Sequence, residues 1–368
     1  MINSILIKPT GPDCNLRCNY CFYRRKSGMF DGKTHRMNDE VLEMLIKSAM
    51  QMGVSTFSWQ GGEPTLMGLD FFRKVVDMEI KHGLPGMPVA NALQTNGVLL
   101  DQQWAQFLAE YRFLVGISVD GPKKLHDHYR KDSEGKGTHA RIMRNIEILC
   151  SRGVDFNVLV LLNNINVQEP DAVYDFLKEH EIYFMQFIPC VEAGQKKGEP
   201  EYFCVTPDAY GDFMVRVFDK WVQDFPDVSI RDFDDLLLHE LGRPINTCMF
   251  SERCGSYVVV EHNGDAFCCD YFVTSQYRLG NIMETPLSEL VESERFKRFT
   301  EQKTELGDKC KACPYLTQCY GGCQKDRVVL GGKLTDTSYL CKAYRKLFSH
   351  AKPVLPELVE RLRKMGRI

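Results

Sequence analysis

The sequence predicts an α/β fold: parallel strands with helices outside, closing towards a barrel, and a small cysteine-rich domain after it. Three observations carry this. Strand-sized apolar segments alternate six times with amphipathic segments, the pattern of right-handed β/α crossovers. Motifs rich in glycine and polar residues follow at least four successive strands, which fits a barrel mouth better than the single crevice of a doubly wound sheet. Cysteines gather at 14–21 and again at 248–341, with ordinary α/β sequence between.

The expected strands are 4–9 (SILIKP), 56–60, 90–95, 114–120, 156–162 and 183–189. The expected helices are 39–52, 69–82, 101–111, 138–152, 170–180 and 207–224, the third opening at Asp101, a good start residue. From about residue 236 the character changes. SYVVVEHNGDAFCCDYF (256–272) reads as a hairpin turning at Asn263-Gly264. A helix at 286–303, a cysteine-dense loop region at 310–323 and a charged helical tail follow. The expected division is 1–235 for the barrel, 236–345 for the cysteine-rich domain and 346–368 for the tail.

Apolar residues make up 44% and charged residues 26%, as in soluble globular proteins, and a net charge of −3 without runs of one sign argues against a nucleic-acid footprint. The longest apolar run is about VLVLL (158–162), too short to span a membrane, and MINSILIKPT does not read as a signal peptide. A cytoplasmic protein is expected. In that compartment fifteen cysteines point to metal rather than disulfides.

Cys14, Cys18 and Cys21 form a C-x3-C-x2-C run directly after the first strand. Three thiolates can hold three corners of a [4Fe–4S] cube and leave one iron open to a ligand; the alternative is a zinc knuckle completed by His35. The second group comprises Cys248, Cys254, Cys269, Cys310, Cys313, Cys319, Cys323 and Cys341, with Cys268 as an extra beside Cys269. Eight thiolates suffice for two fully ligated clusters or for two zinc sites.

The N-terminal run, with Tyr20 before its third cysteine, resembles the signature of the radical S-adenosylmethionine (SAM) superfamily. GGEPT (61–65), QTNG (94–97) and SVDG (118–121) follow at successive strand ends. The resemblance covers about residues 4 to 225 and implies a partial (β/α)6 TIM-like barrel, a SAM-binding [4Fe–4S] cluster on the three cysteines, and SAM contacts from Tyr20, Gly61, Gly62, Glu63, Ser118 and Arg130. The second cysteine group is similar to the SPASM domain of peptide-modifying members. By that resemblance Cys248, Cys254, Cys269 and Cys323 hold one auxiliary [4Fe–4S] cluster, and Cys310, Cys313, Cys319 and Cys341 the other.

CNLRCNYCFY, QGGEPT, LQTNG, GISVDGP and the Cys269-Asp270 pair together resemble the anaerobic sulfatase-maturating enzymes, which oxidise a cysteine or serine of a sulfatase to Cα-formylglycine. The resemblance implies Asp270 as proton acceptor, Tyr23, Gln60 and Gln94 at the substrate, an unfolded sulfatase as partner, and a low-potential flavodoxin- or ferredoxin-type donor. The competing readings are a SPASM enzyme that forms thioether or other cross-links in a ribosomal peptide, and a non-catalytic Fe–S or zinc protein. Cys150, Cys190 and Cys204 read as buried thiols.

Overall fold

In the computed structural model, residues 2–245 and 247–368 are described. Met1, where the expected barrel domain starts, and Asn246, inside the expected cysteine-rich domain, lie outside the described residues. The strands are β1 (Ser4–Lys8), β2 (Thr56–Trp59), β3 (Ala90–Thr95), β4 (Leu114–Ser118), β5 (Phe156–Leu162), β6 (Phe184–Pro189), β7 (Ser229–Ile230), β8 (Tyr257–Glu261), β9 (Asp265–Phe267) and β10 (Arg278–Asn281). The first helices are α1 (Asp39–Gln51), α2 (Leu69–His82), α3 (Gln102–Glu110), α4 (Lys123–Tyr129), α5 (His139–Ser151), α6 (Pro170–Glu179), α7 (Pro207–Asp224) and α8 (Arg231–Glu240).

The expected strands and helices of the barrel stand within two residues of their expected bounds. Local chemistry sets several of these ends. The Asn38 side chain caps α1, Asp101 caps α3 and Thr206 caps α7, each accepting from backbone N–H groups that the first turn leaves unpaired. The helix expected at 286–303 is instead two, Leu287–Glu292 and Glu294–Glu301. Ser293 between them is extended, and its hydroxyl accepts from the Phe296 N–H, starting a new helix where a continuous one was expected. The seven-residue α4 is too short to show a helical period in the sequence.

The chain forms two compact units. The first comprises Met1–Ser118, Asp127–Phe156 and Gly255–Thr300. Its strands β1 to β4 pair in parallel in chain order. On the other side of β1 lies β8, also parallel, in a register that sets Lys8 opposite Glu261. β9 and β10 continue outward, antiparallel. The hairpin therefore extends the barrel sheet, and Leu6, Val259, Phe267, Val273 and Phe30 close a common core. In the layer between sheet and helices, Trp59 Nε1 donates to Asn91 (2.8 Å), whose amide donates to both carboxylate oxygens of Glu79 at 3.0 Å. Burial pushes the Glu79 carboxyl up to about 7.

The second unit comprises Val119–His126, Asn157–Cys254 and Glu301–Ile368. Here β5, β6 and β7 pair in parallel. The helix Cys341–Ala351 lies against α7, where a side chain at Gly211 would come within 3.1 Å of the Ala343 backbone.

Candidate active site

The loop after β1 turns at once: Gly11 N–H donates to the Lys8 carbonyl and Asp13 N–H to that of Thr10, with Gly11 at a φ of +49°. It delivers Cys14, Cys18 and Cys21 to the C-terminal end of the parallel strands. Their thiols lie close enough to interact. Burial first, then the Glu63 carboxylate and the other two cysteines, drive the Cys14 thiol well above its ordinary range. Forming the thiolate here therefore needs a positive charge beside it, which a bound metal centre supplies.

The GGE segment is fastened to the same loop. Gly62 N–H donates to the Gly11 carbonyl and Glu63 N–H to that of Asp13, both at 2.8 Å. A Cβ at Gly62 would run into the Asp13 backbone, so this position has room only for glycine. Glu63 is fully buried and accepts four hydrogen bonds: from the Thr65 N–H (3.1 Å) and hydroxyl (2.6 Å), the Thr95 hydroxyl (2.7 Å) and the Asn96 N–H (2.8 Å). Burial raises its pKa against those donors. Asn96 also donates to Asn15 (2.7 Å), and its amide nitrogen is 3.7 Å from the Cys14 sulfur. The ends of β2 and β3 are thus tied to the cysteine loop through Glu63 and Asn96.

The other expected residues of this site lie in the same unit. Buried Tyr20 packs edge-on against Tyr129 at 5.5 Å, and the Arg130 guanidinium carbon is 5.5 Å from the Tyr20 ring centre. Gln94 and Ser118, half-buried at the ends of β3 and β4, are 3.4 Å apart. Gln60 at the end of β2 is half-buried, with its N–H on the Ile7 carbonyl. His35 is engaged by Asp13, 2.7 Å from its Nδ1, and its ring packs against His262 and Phe30.

Asp270 is buried, one residue beyond Cys269, and forms an ion pair with Lys8. The Lys8 ammonium also sits over the Tyr23 ring, 3.5 Å from its centre, a cation–π contact. Tyr23 is itself buried and donates its hydroxyl to Glu261 at 2.5 Å. Burial, then Glu261, push the Tyr23 phenol well above its usual pKa. Lys8 and Glu261 were not foreseen; the available signal was a lysine and a glutamate closing otherwise apolar strands.

Of the CysCys pair, Cys268 is buried with its N–H on the Tyr277 carbonyl, and burial pushes its thiol up to about 12. Cys269 is half-exposed, 3.3 Å from the Tyr257 hydroxyl. The remaining auxiliary cysteines belong to the second unit. Cys310, Cys313, Cys319 and Cys341 line one cavity of about 970 Å3, and burial pushes Cys319 up to about 12. Cys248 and Cys254 interact electrostatically, and Gln324 donates to the Cys254 sulfur at 3.2 Å. Cys190 and Cys204 are buried as expected and hydrogen-bonded to each other. Cys150 is not: it is exposed, because α5 buries the face of Ile142, Ile146 and Leu149 and position 150 falls off it.

Residues 9–177 match the model of the radical SAM superfamily, and residues 248–314 that of the SPASM iron–sulfur cluster-binding domain. Across 96% of this chain and 97% of its own length, the cysteine-type anaerobic sulfatase-maturating enzyme of Clostridium perfringens (strain ATCC 13124) is 37% identical. The chain belongs to the anaerobic sulfatase-maturating enzyme family. The serine-type enzyme of Bacteroides thetaiotaomicron is 35% identical over 95% of this chain and 90% of its own. The solved structure of native anSMEcpe with bound AdoMet superposes with a TM-score of 0.91 at 36% identity, over 98% of this chain and 99% of that one. That of the same protein with AdoMet and the Cp18Cys peptide gives 0.90, over 98% and 99%. The fold is accordingly a radical SAM partial barrel with a SPASM domain, and the protein is a radical SAM oxidoreductase of this family, using SAM and [4Fe–4S] clusters. Three thiols on one loop that act on one another electrostatically, and a cavity of the second unit lined by four more, are donor sets that suit such clusters.

Proposed function

We propose that the protein oxidises the Cβ of a cysteine or serine in a C/S-x-P/A-x-R type motif of an unfolded sulfatase to Cα-formylglycine. The reading is carried by one observation: a buried carboxylate, Asp270, is held by Lys8 in the same compact unit as the three-cysteine loop and the expected SAM contacts. Bound SAM, cleaved with an electron from the cluster, supplies the radical that removes a hydrogen atom from Cβ. Asp270 takes the proton of the thiol or hydroxyl, within hydrogen-bond reach of its carboxylate. One hydrogen atom, one proton and one electron leave in all, the electron passing to the auxiliary clusters. A serine then yields the aldehyde directly, and a cysteine yields a thioaldehyde that water converts to formylglycine and sulfide.

In this reading Cys14, Cys18 and Cys21 hold the SAM cluster, and Tyr20, Gly61, Gly62, Ser118 and Arg130 surround SAM. Glu63 acts by fixing the GGE backbone that meets the SAM amino group. Gln60 and Gln94 face the peptide, and Tyr23 supports that side by steadying Lys8 and Glu261. Cys248, Cys254, Cys269 and Cys323 hold one auxiliary cluster and Cys310, Cys313, Cys319 and Cys341 the other. The barrel domain is 1–235, the auxiliary domain 236–345 and the tail 346–368. The reductant is a flavodoxin- or ferredoxin-type donor, and the setting is the cytoplasm.

The test is an anaerobic assay of the reduced holoenzyme on peptides carrying C-x-P-x-R or its serine form, read by mass. Replacement of SH and H by O at the cysteine supports the reading. On the serine peptide, the loss of two hydrogens with an aldehyde that hydrazine traps supports it equally; a cysteine peptide that has lost only two hydrogens and carries no trappable aldehyde overturns it in favour of thioether formation.

A further inference from the structure

Two buried cations of the second unit have no carboxylate partner among the described residues. Lys303, fully buried, donates from Nζ to the carbonyls of Cys248 (2.8 Å), Met249 (2.9 Å) and Ser251. Arg327, 3% exposed, distributes its guanidinium over five carbonyls: Nε to Gly321 (3.0 Å), Nη1 to Lys303 (2.9 Å) and Leu334 (3.2 Å), Nη2 to Tyr320 (2.8 Å) and Gly322 (3.4 Å). A side chain at Gly321 would come within 2.5 Å of that guanidinium. Carbonyl dipoles offset part of the cost of burying a cation, but the charge still calls for an anion.

Of the groups whose charge acts most on them among the described residues, those of opposite sign are cysteines, anionic when they hold a cluster. Cys254, Cys323 and Cys248 act on Lys303; Cys310, Cys323, Cys319 and Cys254 act on Arg327. Arg327 therefore addresses both expected ligand sets, through Cys254 and Cys323 of one and Cys310 and Cys319 of the other. Its carbonyl bonds also fix the turn between Cys319 and Cys323, which belong to different sets. Lys303 fixes the segment between Cys248 and Cys254.

We propose that Arg327, joined to Lys303 through the Lys303 carbonyl, is a counter-charge shared by the two auxiliary clusters that raises the reduction potentials of both. This rests on the cluster reading given above. A thiolate-ligated cluster is anionic and becomes more so on reduction. A fixed cation in the low-dielectric interior stabilises the reduced form more than the oxidised one. Acceptance of the single electron that leaves the substrate is thereby favoured. Arg327 and Lys303 are positioning residues: they touch neither substrate nor SAM.

The experiment uses the full-length, anaerobically reconstituted protein in a Cys14→Ala, Cys18→Ala, Cys21→Ala background, which leaves only the auxiliary clusters, read by iron and sulfide content and by redox titration followed by electron paramagnetic resonance. Arg327→Gln is expected to keep about eight irons and to lower the reduced-to-oxidised ratio of both clusters about tenfold at fixed potential, a shift of about 59 mV for a one-electron couple. Lys303→Met should shift mainly the cluster of Cys248 and Cys254, while Arg327→Lys should stay near the parent. Full iron with unchanged potentials in Arg327→Gln overturns the proposal. Should Arg327→Gln fail to hold iron, Lys303→Met decides; should both fail, the cations are scaffolding only and the tuning role is overturned. A parent protein that binds zinc in place of iron at these cysteines fails on the cluster reading instead.

Discussion

Lys8, the last residue of β1, is ion-paired with Asp270, 262 residues further along the chain, and both are buried. The pair links the strand that launches the three-cysteine loop to the carboxylate proposed as proton acceptor. Removing one member of a buried pair leaves the other uncompensated, at a cost of about 3–5 kcal/mol. Lys8→Met is therefore expected to lower the stability of the holoenzyme by that order in anaerobic urea unfolding. An unchanged midpoint would show that the pair contributes nothing to holding the site.

Asp270→Asn keeps the size of the side chain and removes its capacity to take a proton. SAM cleavage should continue near the parent rate, read as 5′-deoxyadenosine, while peptide oxidation falls by at least about 100-fold, in the range that general base catalysis supplies. Parent-level peptide turnover in this variant removes Asp270 from the role.

Gly62→Ala places a methyl group on the Asp13 backbone and must move the segment that carries Cys14. The expected result is a protein short of about four irons, the content of one cube, with SAM cleavage lost and the auxiliary clusters retained. Full iron content and normal SAM cleavage would contradict the packing described here.

Cys268 and Cys269 separate in the same way. Cys268→Ala removes a small buried group and should cost about 1 kcal/mol of stability with all clusters kept. Cys269→Ala should lose auxiliary iron. The reverse outcome moves the ligand register by one residue.

Glu79 gives a pH signature. Its carboxyl is raised to about 7 in the fold, from an ordinary value of 4.5, so the folded state holds the proton more tightly than the unfolded chain. The stability this contributes is fully present below about 4.5 and is lost as pH rises through about 7. The whole shift is worth on the order of 3 kcal/mol. Glu79→Gln, which cannot ionise, should show a flatter fall in thermal midpoint between about pH 4.5 and 7 than the parent. Parallel profiles would assign the pH dependence elsewhere.

Much of this was legible in the residues. The six β/α units follow from periodicity, and the start of α3 from Asp101 as its cap. The cysteine groups follow from spacing. What escaped was long-range pairing. Nothing in SYVVVEHNGDAF says that its first strand aligns in parallel with β1, because strand partners are not encoded locally. Consequently Lys8 and Glu261, opposite each other in that register, looked like ordinary strand ends. The motif revealed the Glu63 carboxylate but not the four donors it accepts from, because a motif shows a residue without its surroundings. Lys303 and Arg327 carried no motif: a buried cation is invisible until its surroundings are known.

The parallel ladder between β1 and β8 has a bearing on accuracy. The three-cysteine loop and the carboxylate proposed as base lie about 250 residues apart in the chain, yet one set of interstrand hydrogen bonds gauges the distance between the strands that carry them. A slip by a single residue would carry Asp270 about 3.3 Å along the sheet and swap the faces of the hairpin. The tolerance of the chemistry is thus that of a five-rung ruler, and mutations within Val258–Val260 would misalign the reaction without touching any group that performs it.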